Sequence, residues 1–276
     1  ILSPGAKPIR PNLPGSDDAR VFTLRTVPDT LKIRAYVEQN KPKSAAVIGG
    51  GYIGMEMAEN LKHAGLDVTV IEMAKHIIAP LAGLVQHYAR KNGIRLILKN
   101  GVQALIPTES HIEVQLSHGT LNADLVLMSV GVKPETDIAQ KAGILCNARG
   151  AILVDEHMRT SKPDIYAVGD AIAVTNFVTK QEAYIPLAGP ANKQGRIAAD
   201  HICGRNVSFK GTQGTSILKL FDMTVATTGI HELQAKQSNL DYDTIITYSP
   251  SHATYYPNAK NMMIKTIFEK QSGKIL

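Results

Sequence analysis

Tryptophan is absent from these 276 residues, and aromatic residues make up only 5% of them. No long basic run is present either. Nucleic-acid binding calls for a basic stripe interleaved with stacking aromatics, so no nucleic-acid partner is expected. Cysteine is scarce: Cys146 and Cys203 stand far apart, and no CxxC occurs. The nine histidines show no HxxxH or HExxH spacing, so no metal site is expected. Both cysteines sit among apolar or small neighbours (GILC, DHIC) and read as reduced core thiols. No apolar run approaches the roughly 20 residues of a bilayer-spanning helix. No charged segment followed by an apolar stretch opens the chain. No membrane partner is expected, and a cytoplasmic location is. The chain also lacks an initiating Met. It opens on ILSPGAKPIRP and stops at SGKIL, both of which read as cut ends, so the natural protein is expected to be longer.

What is present is ordinary for a chain with a real core: 44% hydrophobic and 20% charged residues. The length suggests two domains or three small ones. The formal net charge of +6 is scattered, with a modest cluster at Arg90, Lys91 and Arg95. Such a field attracts anionic small molecules.

Residues 1–20 are rich in Pro and Gly and read as an extended connector. Residues 28–40 carry helical spacing, and KPK at 41–43 is a turn. Then AAVIGGGYIGMEMAENLKHAGLDVTVIEM reads as strand, helix, strand. Ala45–Ile48 is a buried strand, Ile53, Met57 and Leu61 recur at helical spacing, Gly65 ends the helix, and Val68–Ile71 is the second strand. A helix over 83–92 and the strands IRLIL, VQALI, HIEVQL and ADLVLMSV follow, with a turn at SHG. The pattern is a three-stranded excursion that returns to a parallel sheet. AILV and the run Ile165–Val168 read as strands, the latter with Gly169 and Asp170 at its tip. KQGRIAADHICG is helical, NVSFKGTQGTS is a linker, and the rest is rich in β-segments (ILKLFDMTVATTGI, DTIITYS, MMIKTIFE).

Gly49, Gly51 and Gly54 spell GxGxxG between a strand and a helix. The first glycine permits the turn, the second lets backbone approach a pyrophosphate, and the third lets helix pack on strand. Glu72 lies eighteen residues beyond Gly54, at the end of the second strand, where a carboxylate grips a ribose 2′-hydroxyl. A 2′-phosphate there meets like charge, so NADH is favoured over NADPH. Lys75 and His76 stand close enough to soften that preference. The alternative to ligand binding is a tight strand–helix turn with no ligand.

The whole chain resembles the FAD-dependent pyridine nucleotide–disulfide oxidoreductases. VIGGGYIGMEMAENL matches that family's second nucleotide fingerprint, which implicates Tyr52 and Ile53 beside the three glycines. TSKPDIYAVGDA matches its late flavin motif, so the resemblance implies that Asp170 binds the FAD ribityl chain and Gly169 allows its approach. LSPGA resembles the short flavin-domain stretch that precedes the nicotinamide domain. The implied fold is α/β: two Rossmann-like nucleotide-binding domains, the FAD one incomplete, plus an incomplete α+β interface or dimerisation domain. The implied domains are an FAD segment over 1–42, an NAD(P)H-binding domain over 43–152, an FAD segment over 153–210 and part of the interface domain over 211–276.

PLAGPANKQGR and SHATYYPNA narrow the resemblance to coenzyme A-disulfide reductases and NADH-dependent persulfide reductases. The first stretch implies that Pro186, Leu187 and Ala188 border the FAD. The second implies that Tyr255 or Tyr256 approaches a catalytic sulfur from the partner subunit; the alternative is an ordinary β-edge turn. Glu56 aligns with a residue near nicotinamide and flavin, or is a solvated first-turn acid favoured by the helix dipole. GVKPET resembles the loop bordering the nicotinamide cleft, with Gly131 against NADH. The implied cofactors are FAD and NADH, with NADPH possible, and the implied assembly is a homodimer.

The pattern also departs from the family's. Its first flavin fingerprint and the redox cysteine that follows it are not in this chain, and neither Cys146 nor Cys203 occupies the catalytic position. IIAPLAGLV reads as shorter than its family counterparts. The implied reaction carries hydride from NADH to FAD and on to a single redox cysteine outside this chain, reducing CoA disulfide or CoA persulfide and polysulfide. Two alternatives stand: an NADH oxidase or NADH peroxidase of the same family, and a non-catalytic nucleotide-binding fragment. A C-terminal rhodanese domain accompanies many of the subgroup.

Overall fold

The computed structural model describes residues 1–78 and 82–276. Its centre is a five-stranded parallel sheet in the order Val21–Thr23, Leu125–Met128, Ser44–Ile48, Asp67–Glu72, Arg95–Leu98. The central strands are buried on both faces and read as continuous apolar runs, LVLM and AAVI. The helix Tyr52–His63 crosses between two of them and packs on the sheet. Its inward face is Gly54, Met55, Ala58 and Leu61. Of the residues at helical spacing, Leu61 is on that face, whereas Ile53 is 39% exposed. The helix Ala82–Lys91 buries Val85 and Ala89 on the same core.

The sheet reaches back ahead of residue 43. Val21–Thr23 pairs parallel with Val126–Met128, and the helix Val27–Asn40 follows directly. That helix starts on a Thr26–Asp29 capping box and inserts Ile33 into the sheet's core. Three residues carry too little periodicity to declare this edge strand from sequence.

The excursion is present as an antiparallel sheet of Val102–Pro107, Ile112–Leu116 and Thr120–Ala123. ADLVLMSV is thus not one strand with its lead-in. Asp124 separates Thr120–Ala123 from Leu125–Met128. Its carboxylate Oδ2 accepts from the N–H groups of Lys43 and Ser44 at 2.7 and 3.0 Å, fastening the start of the neighbouring strand.

Residues 139–198 enclose a separate apolar cluster around Ile152, Met158, Ala167 and Ile172. The expected strands AILV and Ile165–Val168 appear here only as bridged extended segments. Ala167 bridges Leu2, Tyr166 bridges Arg159, and Ile152 bridges Cys146 and Ile172. Their ladders are too short for regular sheet. In the last third, the hairpin Ser216–Leu220 with Met223–Thr227 contributes Leu218, Leu220 and Val225 to the core of the parallel sheet. The second hairpin pairs nine residues on each strand, Tyr242–Pro250 with Asn261–Glu269, and leaves Ile245, Ile246, Tyr248 and Ile264 exposed. Among the described residues no helix is long and apolar enough to cross a membrane. The shortness read into IIAPLAGLV falls on residues 79–81, outside the described residues.

Candidate functional site

The glycine loop sits at the carboxyl edge of the parallel sheet, where Ser44–Ile48 turns into Tyr52–His63. Gly49 has φ +103°, and a Cβ there would lie 2.4 Å from Ser129 O. A Cβ on Gly54 would lie 2.0 Å from Gly49 O and 2.6 Å from Ser129 Oγ. Both positions exclude any side chain. Gly51 differs: it is the N-cap at φ −76°, and a Cβ there would meet nothing within 4 Å. No side chain caps this helix, so the N–H groups of its first turn stay open to an anion.

Glu72 closes the rim. Its Oε2 accepts from Gly50 N–H and its Oε1 from Ala74 N–H, both at 2.8 Å. These bonds hold the carboxylate at the strand end beside the loop. Ser129 was not anticipated. Its Oγ donates to both Ile48 O and Gly49 O at 3.0 Å, tying the loop to the end of Leu125–Met128. The signal was its place just beyond a strand that neighbours Ser44–Ile48, which becomes readable only once strand order is known.

A second cradle forms around Gly169 and Asp170. Gly169 has φ +78° and donates its N–H to Oε1 of the buried Gln194 at 2.8 Å. Gln194 lies on the helix Ala188–Ile202, whose N-cap Leu187 makes no capping bond. Pro186, Leu187 and Ala188 therefore bring a second open helix start next to the Asp170 turn. The Asp170 side chain is half-buried and makes no hydrogen bond among the described residues. Burial pushes its carboxyl pKa up, and the positive charge of Arg25 opposes this. The Tyr184 hydroxyl donates to the Asp170 carbonyl at 2.9 Å, and burial, then the Asp170 charge, push its pKa up to about 12. Tyr184 and Gln194 were missed because nothing local marks them; each acts on a turn at least fourteen residues away.

The first residues of the chain join the two cradles. Leu2 N–H donates to Tyr166 O at 2.7 Å and Val168 N–H to Leu2 O at 3.0 Å. Ala6–Pro8 then pairs antiparallel with Val132–Pro134. Gly131, at φ +108°, accepts from Ile9 N–H at 2.9 Å. The loop Gly131–Thr136 is thereby held between the sheet and the Asp170 region.

Other candidate residues lie apart from these cradles or serve neighbours. The Tyr52 hydroxyl bonds Ser216 Oγ at 2.7 Å, linking the glycine-loop helix to the first C-terminal hairpin. Glu56 is exposed on the second turn of that helix, whose first turn carries no acid, so it is not the dipole-favoured first-turn acid that was the alternative. Tyr255 and Tyr256 lie in the connection of the long hairpin, 83% and 59% exposed, with ring centroids 4.8 Å apart. The cysteines are not both core thiols. Cys146 is half-buried, with its pKa raised by burial, but Cys203 caps the carboxyl end of Ala188–Ile202 and is exposed. The helix ends there, so the apolar neighbours in sequence that suggested burial do not carry Cys203 into the core. No group of three or more His, Cys, Asp or Glu able to hold a metal occurs among the described residues.

Residues 1–195, which carry both cradles, match the family described as pyridine nucleotide-disulphide oxidoreductase. The chain belongs to that family. The resemblance carried by VIGGGYIGMEMAENL and TSKPDIYAVGDA is thus met, as is the mixed α/β, Rossmann-like fold. In this pyridine nucleotide-disulphide oxidoreductase chain, the likeness to solved structures extends beyond the matched region. Reduced Bacillus anthracis CoADR-RHD is 47% identical with a TM-score of 0.95, covering 99% of this chain and 50% of that one. Among curated relatives, an NADH oxidase of Methanocaldococcus jannaschii is 34% identical and a coenzyme A disulfide reductase of Staphylococcus epidermidis 35%, each over 100% of this chain. The chain spans 62% of the length of each of these curated relatives.

Proposed function

We propose that the chain forms the NAD(P)H-binding part, and some of the flavin-binding part, of an FAD-dependent reductase of CoA disulfide or CoA persulfide and polysulfide. NADH is its preferred donor. The observation that carries this reading is the pair of cradles: an open glycine turn with a carboxylate at its rim, and a half-buried, unpartnered carboxylate beside a left-handed glycine. The first fits a dinucleotide. Gly51 leaves room for a pyrophosphate against the helix start, and Glu72 stands where a ribose 2′-hydroxyl would lie. The second fits a polyol. An ionised Asp170 accepts hydrogen bonds from ribityl hydroxyls, and Pro186, Leu187 and Ala188 bring a helix start to the same place. When bound, FAD supplies two-electron chemistry between nicotinamide and sulfur.

In this reading the redox cysteine lies outside this chain, because Cys146 is half-buried behind a raised pKa and Cys203 caps a helix away from both cradles. Gly131 borders the nicotinamide. Glu56, exposed near the mouth of the glycine loop, and Tyr52 and Ile53 complete its wall. Tyr255 or Tyr256 reaches the sulfur of a second copy in a homodimer. The similarity to the Staphylococcus coenzyme A disulfide reductase supports the CoA-linked substrate, as does the net charge of +6. A second reading, an NADH oxidase or peroxidase, is favoured by the Methanocaldococcus relative.

The test is anaerobic reduction of the intact protein. A flavin absorption band that bleaches with NADH and returns on adding CoA disulfide or CoA persulfide supports the reductase. A band that returns only with oxygen or peroxide supports the second reading. NADH binding with no flavin band reduces the chain to a nucleotide-binding fragment.

A further inference from the structure

Three parts of the chain meet at one guanidinium. Arg25 lies between the edge strand Val21–Thr23 and the helix Val27–Asn40. Its Nη1 donates to Glu135 Oε2 at 2.6 Å and its Nη2 to the Pro4 carbonyl at 3.0 Å. Its own N–H donates to Asp29 Oδ2 at 3.1 Å, the carboxylate that also closes the capping box of the helix. The residue is therefore held at its root as well as at its tip. Glu135 belongs to the loop Gly131–Thr136, and its N–H donates to Gly5 O at 2.9 Å. Pro4 and Gly5 follow Leu2, which is bonded on either side to Tyr166 and Val168. A continuous path thus runs from the nicotinamide loop, through Arg25 and residues 2–5, to the residue before Gly169. Gly5 makes room for it: at φ +75°, a Cβ there would lie 3.2 Å from Arg25 Nη2.

The Arg25–Glu135 pair is partly exposed on both sides, so as an isolated ion pair it stabilises little. Its position gives it another use. Arg25 is the charge whose field opposes burial at the Asp170 carboxyl. The other titratable group against Asp170 is Tyr184, whose hydroxyl stays neutral, and Gln194, which bonds Gly169 from the packed helix, carries no charge. Glu135 pairs with the same guanidinium at 2.6 Å.

We propose that Arg25 is a positioning residue that fastens the nicotinamide loop to the flavin turn through Glu135 and Pro4. The proposal rests on the reading of Asp170 as a flavin ligand. Only a guanidinium makes both links at once; a lysine keeps the charge and loses the fork.

The experiment compares Arg25→Met, Arg25→Lys and Glu135→Gln in the intact flavoprotein. FAD affinity is measured against pH, and KM for NADH is measured on each variant. In Arg25→Met KM for NADH rises. FAD affinity falls about tenfold, the scale of one lost charge-assisted contact, and its loss on acidification starts at higher pH. Arg25→Lys keeps the charge but leaves KM for NADH raised. Glu135→Gln keeps the cation and raises KM. The proposal is overturned if Arg25→Met leaves KM for NADH and FAD affinity at their wild-type values, or if Glu135→Gln leaves KM unmoved. Should Arg25→Met not fold, Arg25→Lys and Glu135→Gln decide: a KM for NADH unmoved in both overturns it. If the wild type binds no FAD, the flavin reading falls, while NADH affinity measured on the flavin-free variants still decides the loop link.

Discussion

Two glycines two residues apart in the same loop should respond to alanine in opposite ways. Gly49→Ala places a Cβ 2.4 Å from Ser129 O at a φ of +103°. The left-handed backbone costs about 1–2 kcal/mol, and the overlap with fixed backbone adds roughly 1–3 kcal/mol. At about 2–4 °C per kcal/mol for a domain of this size, Gly49→Ala should lower Tm by about 4–20 °C. Gly51→Ala meets nothing within 4 Å and keeps φ at −76°. The entropy gained, about 0.4–1 kcal/mol, is offset by the weaker N-cap, so Tm should stay within about 2 °C of the wild type. Its effect falls on the ligand instead. The new methyl enters the space in front of the helix start and holds a pyrophosphate off the first-turn N–H groups. Losing one hydrogen bond to a charged group, about 1.5–3 kcal/mol, weakens NADH binding about 10- to 150-fold. Thermal melts and calorimetric NADH titrations of both variants check this. A Gly51→Ala protein that binds NADH within about threefold of the wild type would refute the placement of the pyrophosphate. A Gly49→Ala protein that melts with the wild type would refute the loop geometry.

Glu72→Gln retains an acceptor for Gly50 N–H but removes the charge facing the 2′ position. Like charges about 4 Å apart repel by about 1–4 kcal/mol between water and a protein surface. The ratio of kcat/KM for NADH over NADPH should therefore fall at least about fivefold, and an unchanged ratio would remove Glu72 from donor choice. Asp170→Asn separates stability from binding. Burial raises the folded pKa of Asp170 above its unfolded value, so the folded chain holds the proton more tightly. The flavin-free fold then loses stability as pH rises from the unfolded to the folded pKa, and the penalty is complete above the latter. At neutral pH, Asp170→Asn should hold or raise Tm while FAD retention drops; a fall in Tm with FAD retained would sink the assignment. Tyr184→Phe removes the 2.9 Å bond to the Asp170 carbonyl. It should cost about 1 kcal/mol, read as a Tm lower by about 2–4 °C, and an unaltered melt would mean that the turn does not depend on it.

The parts legible in the sequence are those whose physics is local. Gly49, Gly51, Gly54 and Glu72 declare a strand–turn–helix–strand unit because each glycine answers a constraint within a few residues, and the structure sets them on one rim. The helix Val27–Asn40 was legible from its spacing, and Thr26 and Asp29 cap it within its own first turn. Its place beside the parallel sheet was not, because Val21–Thr23 earns its strand identity only by pairing with Leu125–Met128, a hundred residues on. Helical spacing through Ile53, Met57 and Leu61 identified the helix but not its buried face, which the third glycine of the motif, Gly54, marks. The limit met at Val21–Thr23 also explains Asp170. Its turn and its carboxylate were readable. What holds that turn in place was not: Leu2, Tyr184, Gln194 and, by its field, Arg25 come from four separate stretches. A cofactor-binding glycine is thus announced by its neighbours in sequence, whereas the groups that aim it are chosen by topology. Changes at the first kind should cost binding in one large step, about tenfold or more. Changes at Ser129, Tyr184 or Arg25 should instead loosen binding in graded steps, since each holds its loop alongside other bonds that remain.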